Sequence, residues 1–111
     1  MMTEIPYKEW VEALRSGNYK QTKGTLKGKL PEGGVGYCCL GVLAEIMGYE
    51  LEVELYIEDG EYVLYYGEGP KHIYEKFEYD MEGVFVDLLT NHNDKGVSFK
   101  EISDIIEKEK M

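Results

Sequence analysis

The sequence predicts an α+β fold in a single small domain, and three observations lead to this prediction. Its 111 residues are the usual length of one domain. Apolar residues recur at helical spacing near both ends and in the middle of the chain. Two segments with alternating apolar residues flank an Asp-Gly pair, which is a strong hairpin signal. We therefore expect one domain over residues 1–111, with three or more helices and an antiparallel β-hairpin.

Three segments carry the pattern of helices. Residues 6–16 place apolar side chains on one face. Gly17 follows them and indicates a helix end there, because glycine is favoured just after a helix. Residues 38–47 are apolar nearly all round, which is typical of a helix at the centre of a fold. Residues 98–108 begin with a capping box, formed by Ser98 and Glu101.

The remaining elements are less regular. Residues 51–57 and 61–66 alternate in polarity around Asp59-Gly60, and pairing outward from that turn places Leu55 opposite Leu64. Short strands are expected at 19–21 and 25–26, and short helices at 70–77 and from residue 84 to 89. The polar run Asn91-His92-Asn93-Asp94 is predicted to be a turn between helices.

Charge is distributed very unevenly along the chain. The net charge is −10, which argues against general binding to nucleic acids or to anionic membranes. Residues 45–87 hold thirteen acidic residues, whereas residues 15–29 hold none. Residues 15–29, called here the basic segment, hold five cationic residues: Arg15, Lys20, Lys23, Lys27 and Lys29.

The basic segment is the predicted binding site for an anionic small molecule. Glycines punctuate it, and Gly33-Gly34-Val35-Gly36 leads toward a helix start whose N–H groups favour anions. Arg15 is the first-choice phosphate ligand, because guanidinium binds phosphate through two hydrogen bonds. The lysines and Gln21 complete the polar set, and three aromatic residues could stack on a base: Trp10, Tyr19 and Tyr37. The alternative is a solvated loop that balances the acidic residues.

Cys38 and Cys39 are the only cysteines, and they raise the alternative of a cysteine-dependent hydrolase or transferase. A predicted helix start lowers a thiol pKa, and His92 is the candidate base. Packing is the preferred interpretation, because cysteine is among the most buried residue types. Adjacent cysteines form no ordinary disulfide, and the Cys and His spacing lacks a zinc pattern. We therefore expect no catalytic residues, metal or cofactor.

The sequence resembles a family of small phage and prophage proteins. The resemblance is carried by Trp10-x-x-Ala13-Leu14-Arg15-Ser16-Gly17-x-Tyr19-x-Gln21, by Tyr37-Cys38-Cys39-Leu40-Gly41-Val42-Leu43, and by Asn93-Asp94 ahead of Ser98-Phe99-x-x-Ile102. The chain has Thr22 where such proteins often carry Gly and Ala44 where they often carry a third Cys. The resemblance implies no established activity and does not cover residues 50–87.

The basic segment predicts a non-catalytic protein that binds a nucleotide-like anion. The resemblance to phage proteins implies an accessory role, in which the protein sequesters such an anion in evasion of host defence signalling. The alternative is an acidic interaction protein or nucleic-acid mimic that inhibits a host protein. A cytoplasmic location is expected, because the first residues lack the apolar core of a signal peptide and no apolar run approaches a membrane span. Homo-oligomers are expected, because the hairpin edge and tyrosine-rich faces need covering.

Overall fold

The α+β prediction is confirmed by a computed structural model, which describes residues 5–23, 26–49, 53–58, 61–66 and 72–111. Five helices lie within these described ranges: three correspond to the helices predicted at 6–16, 38–47 and 98–108, and two overlap the short helices predicted at 70–77 and 84–89 but extend further along the chain. The helices are α1 (Tyr7–Arg15), α2 (Cys39–Ile46), α3 (His72–Met81), α4 (Gly83–Asp94) and α5 (Phe99–Lys110).

Helix ends follow the local sequence signals in two places. Gly17 follows Ser16, the C-cap of α1, and adopts a positive φ of 79°, which is usual for a residue just beyond a helix end. Ser98 caps α5, because its hydroxyl accepts a hydrogen bond from the backbone N–H of Glu101 at 3.2 Å.

The prediction of a turn at residues 91–94 is wrong, because these residues form the last turn of α4. Asn93 is fully buried and its side-chain amide is hydrogen-bonded inside the protein, so its polarity does not end the helix. The helix ends at Asp94, and Gly96, two residues later, has a positive φ of 88°. The polarity of these four residues alone therefore did not distinguish a turn between helices from the last turn of a helix.

A small mixed sheet follows α1. Its strands are β1 (Lys20–Gln21), β2 (Lys27–Lys29) and β3 (Val35–Tyr37), in the spatial order β1-β3-β2. β3 runs parallel to β1 and antiparallel to β2. The predicted strand at 19–21 is confirmed in part, whereas the strand predicted at 25–26 begins later, at Lys27; Thr25 lies outside the described residues. β3 was not predicted, because three residues including a glycine show no alternation.

The hairpin is formed by β4 (Val53–Glu58) and β5 (Glu61–Tyr66). Its register is the predicted one, with Leu55 opposite Leu64 and Val53 opposite Tyr66. The predicted Asp59-Gly60 turn lies outside the described residues. The register could be predicted from the sequence because the position of the turn and the alternation of polarity agree.

Helix α2 lies in the centre of the core, as its all-round apolar sequence predicts, and six of its eight residues are buried. The indole N–H of Trp10 donates a hydrogen bond to the backbone carbonyl of Cys39 at 2.8 Å, which joins α1 to α2. A Cβ on Gly41 would lie 1.7 Å from the backbone oxygen of Leu26, so only glycine allows this close approach. Among the described residues, no helix is long and apolar enough to cross a membrane.

Candidate ligand-binding site

Part of the basic segment forms one face of the small sheet. The strand register places Lys27 opposite Tyr37, and Tyr37 opposite Gln21, so these three side chains share a face. Lys29 joins them because it lies two residues beyond Lys27 on the same strand. This surface, together with Tyr19, is called the tyrosine–lysine face below.

Aromatic and cationic groups meet on the tyrosine–lysine face. The rings of Tyr19 and Tyr37 pack edge to face, with centroids 5.3 Å apart and planes inclined by 85°. The Lys27 ammonium lies 5.8 Å from the centroid of the Tyr37 ring, within the range of a cation–π interaction. Both tyrosines are partly exposed, so a ligand can reach this arrangement from solvent.

The electrostatics of Tyr37 identify a carboxylate near this face. Burial is the main cause that raises the pKa of the Tyr37 hydroxyl, and the charge of Glu45 raises this pKa further. The hydroxyl therefore stays protonated at neutral pH and can donate a hydrogen bond. Glu45 also brings negative charge close to a surface that is otherwise cationic, which opposes an anion there.

Two other lysines of the basic segment point elsewhere. Lys20 is paired with Gly36, so it lies on the opposite side of the sheet from Tyr37. Lys23 is exposed and follows β1, and its ammonium would be 3.4 Å from a Cβ on Gly96. Neither ammonium belongs to the tyrosine–lysine face, although both lysines belong to the basic segment.

The side chain of Gln21 is held by a partly buried polar network. Its amide nitrogen donates to the Asn93 side-chain oxygen at 2.9 Å and to the Val97 carbonyl at 2.7 Å. The amide nitrogen of Asn93 donates in turn to the Thr22 carbonyl at 2.7 Å. This network, called the Asn93 clamp, ties β1 to the end of α4 and fixes the strand that Tyr19 directly precedes.

Arg15 makes its contacts with α5 rather than with the sheet. Its guanidinium donates to Asp104 at 2.6 Å, to Glu107 at 3.1 Å and to the Ser103 hydroxyl at 2.8 Å. The hydrogen bonds that Arg15 donates to Glu107 and Asp104 raise the pKa of Arg15 above its ordinary value. A phosphate at Arg15 would therefore compete with two carboxylates for the same donors, and the predicted ligand role stays a prediction.

Trp10 and the start of α2 are closed off from solvent. The Trp10 side chain is fully buried, so a base could stack on it only if the core opened. Cys38 caps α2, because its sulfur accepts a hydrogen bond from the Gly41 N–H at 3.4 Å. Cys38, Cys39 and Leu40 are buried, which leaves no solvent-facing helix start for an anion. The glycine run instead leads into β3.

The cysteine pair has the properties of packing residues. Burial raises the pKa of the Cys38 thiol to about 11, and the Cys39 pKa is also raised well above its ordinary value by burial. Both thiols are therefore protonated at neutral pH, whereas nucleophilic catalysis needs a thiolate. The Cys39 thiol lies 3.7 Å from the Leu89 carbonyl, to which it donates a weak hydrogen bond.

Two residues that shape the site were not selected from the sequence as site residues. Asn93 was assigned to a turn, although its position in the recognisable Asn93-Asp94 pair was a usable signal. Glu45 carried no signal, because only the packing of α2 against β3 brings it near Tyr37. Within the described ranges, no group of three or more His, Cys, Asp or Glu side chains could hold a metal ion.

Comparison with known proteins gives a family but no activity. A search of curated proteins found no match, and a search of solved structures found none either. One family model matches residues 1–110, nearly the whole chain, and its description is "Domain of unknown function (DUF8296)". The chain therefore belongs to the DUF8296 family.

Proposed function

We propose that the protein is a non-catalytic binding protein for an anionic, nucleotide-like small molecule. The observation that carries this proposal is the tyrosine–lysine face, where an edge-to-face tyrosine pair adjoins a lysine ammonium. Aromatic rings beside cations are the combination that binds a base and a phosphate together. The ligand residues of the proposal are Tyr19, Lys27, Lys29 and Tyr37.

Each group has a defined part in binding. The base stacks against the exposed part of the tyrosine pair, and the protonated Tyr37 hydroxyl donates a hydrogen bond. Lys27 and Lys29 supply point charges for phosphate, because they project from the same face of β2. Lys20 and Lys23 lie outside that face and add only to the local positive potential.

The biological role that fits this chemistry is capture of a nucleotide signal. The resemblance to small phage and prophage proteins supports a role in evasion of host defence, where sequestration needs a binding surface and no catalytic residues. The protonated, buried thiols of Cys38 and Cys39 also favour binding over a cysteine-dependent reaction. A second subunit would complete the site if the small sheet alone encloses too little of the ligand.

Isothermal titration calorimetry with a panel of nucleotides tests the proposal. The panel contains AMP, ATP, cyclic AMP and cyclic dinucleotides, with adenosine as the uncharged comparison. Binding of at least one phosphorylated member, and weakening by about tenfold or more in Lys27→Ala/Lys29→Ala and in Tyr37→Leu, would support it. Lys100→Ala is the matched control, because Lys100 is an exposed lysine on α5. No binding by any member would contradict the proposal.

Glu45 provides a test of the opposite sign. Because its carboxylate disfavours negative charge near Tyr37, Glu45→Gln should strengthen nucleotide binding about two- to threefold at low salt. Glu12→Gln removes an exposed carboxylate from α1 and should leave the affinity unchanged. Equal affinities for Glu45→Gln and the unmodified protein would place the nucleotide elsewhere.

The net charge of −10 supports a second candidate, an acidic protein that binds a basic host protein in place of nucleic acid. Ionic strength separates the two functions. Binding through a broad acidic surface weakens steeply with added salt and does not depend on Lys27 or Lys29. Nucleotide binding at the tyrosine–lysine face depends on both lysines.

A further inference from the structure

A groove between the start of α4 and the end of α5 has an apolar floor and a charged rim. It has a volume of about 250 Å³ and is lined by Glu82, Val84, Phe85, Leu88, Glu109 and Lys110. Val84 is 83% exposed and Leu88 is 42% exposed, although both are large aliphatic residues. The groove belongs neither to the tyrosine–lysine face nor to the buried cysteine pair.

The two exposed aliphatic side chains are not needed to build the core. Helix α4 already packs inward through Phe85, Val86 and Leu89, which are all buried. Val84 and Leu88 are four residues apart, so they lie one above the other on the outer surface of the helix. Single exposed apolar residues are common, but an aligned pair beside a groove indicates a contact surface.

The charges around the groove are mainly negative. Glu82 and Glu109 line it, and the Glu78 carboxylate is 3.6 Å from the position of a Cβ on Gly83. Asp87 is exposed on the same helix as Val84. The cation in the lining, Lys110, holds its ammonium 4.8 Å from the centroid of the Phe85 ring.

We infer that this groove binds a basic amphipathic helix of a partner protein. An amphipathic helix presents apolar residues at a four-residue spacing, which is also the spacing of Val84 and Leu88. Lysines on the flanks of the partner helix would meet Glu82 and Glu109. A second copy of this chain docked through the same groove is a poorer occupant, because its Glu82 and Glu109 would face the same two carboxylates. The partner is therefore recognised by an apolar stripe bordered by Lys or Arg.

Fluorescence anisotropy with a labelled peptide tests the apolar part of this inference. The probe is a Leu/Lys peptide of about 18 residues with leucines at helical spacing, and a scrambled peptide of identical composition is its control. The variant Val84→Ser/Leu88→Ser should bind the probe on the order of tenfold more weakly than the unmodified protein. Val35→Ser removes an exposed valine from the small sheet and should bind normally.

The charge and the occupant are tested in the same assay. Glu82→Gln/Glu109→Gln should weaken binding severalfold more than Glu12→Gln, which removes a carboxylate from α1. The inference is overturned if Val84→Ser/Leu88→Ser binds the probe as tightly as the unmodified protein, or if the scrambled peptide binds equally well. It is also overturned if sedimentation shows a dimer that this double variant dissociates, because the occupant is then a second copy.

Discussion

The two ends of the basic segment have different roles, although their sequences carry similar charge. At one end, Arg15 is engaged by two carboxylates and a hydroxyl of α5, and the neighbouring Trp10 is buried. At the other end, Lys27 and Lys29 lie beside a partly exposed tyrosine pair. The first end joins helices, and the second forms a surface that a ligand can reach.

This difference shows that a cluster of cations in a sequence is not automatically a cluster in space. Arg15 lies at the end of α1, and its planar guanidinium suits a contact with several acceptors on one helix. Lys20, Lys27 and Lys29 project from strands, where the register rather than the sequence distance decides which of them share a face. We therefore expect substitutions at the first end to change stability and substitutions at the second end to change binding.

The largest expected effect concerns the packing beneath the small sheet. Gly41→Ala should lower the free energy of unfolding by more than about 3 kcal/mol or prevent folding, because the new Cβ would meet the Leu26 backbone oxygen. Gly83→Ala is the control, since its Cβ would meet only the Glu78 carboxylate at 3.6 Å. Urea denaturation measures both variants. A fully stable Gly41→Ala protein would show that α2 does not pack against Leu26 in this way.

The next effect concerns the Asn93 clamp. Asn93→Ala should lower the free energy of unfolding by about 2–3 kcal/mol, because the amide of Gln21 and the carbonyl of Thr22 lose partners inside the protein. Asn91→Ala, at an exposed position of the same helix, should change it by less than about 0.5 kcal/mol. Equal free energies of unfolding for the two variants would show that the Asn93 clamp does not stabilise the fold.

A smaller effect is expected from alkaline pH. The folded Cys38 thiol has a pKa of about 11, above its ordinary value of 9.0, so unfolding releases a proton between these values. The resulting stability is complete below pH 9 and is lost as the pH rises toward 11. Tyr7 and Tyr37 have raised pKa values and act in the same direction.

Chemical denaturation at several pH values between 8 and about 11 measures this loss. Cys38→Ser is the matched variant, because serine can cap α2 and does not titrate in this range. Its stability should fall less steeply with pH than that of the unmodified protein. An identical slope for both proteins would mean that the Cys38 thiol is not shielded from solvent in the folded state.

The sequence predicted the elements whose signals are local. The Ser98 cap of α5, the glycine after α1 and the hairpin register each depend on neighbouring residues, and each is present. It failed where distant segments decide the outcome. The parallel pairing of β1 with β3 is an example: the two strands are neighbours in the sheet, but β2 lies between them along the chain.

The candidate site was only partly predictable for the same reason. Tyr19, Lys27 and Tyr37 were selected by composition, and the strand register brings them together. The contacts of Arg15 could not be foreseen, because its partners Asp104 and Glu107 are about ninety positions away in an unrelated segment. Side-chain charge can be read from a sequence, whereas its neutralisation by a distant helix depends on tertiary packing.

The most direct test of the account is the nucleotide-induced rise in Tm of two variants, measured with the tightest-binding nucleotide of the panel. Arg15→Ala should lower the Tm of the ligand-free protein, because α1 loses its contacts with α5, and should keep the rise caused by nucleotide. Lys27→Ala/Lys29→Ala should lose most of that rise. Loss of the rise in Arg15→Ala, with its retention in the lysine variant, would contradict the account.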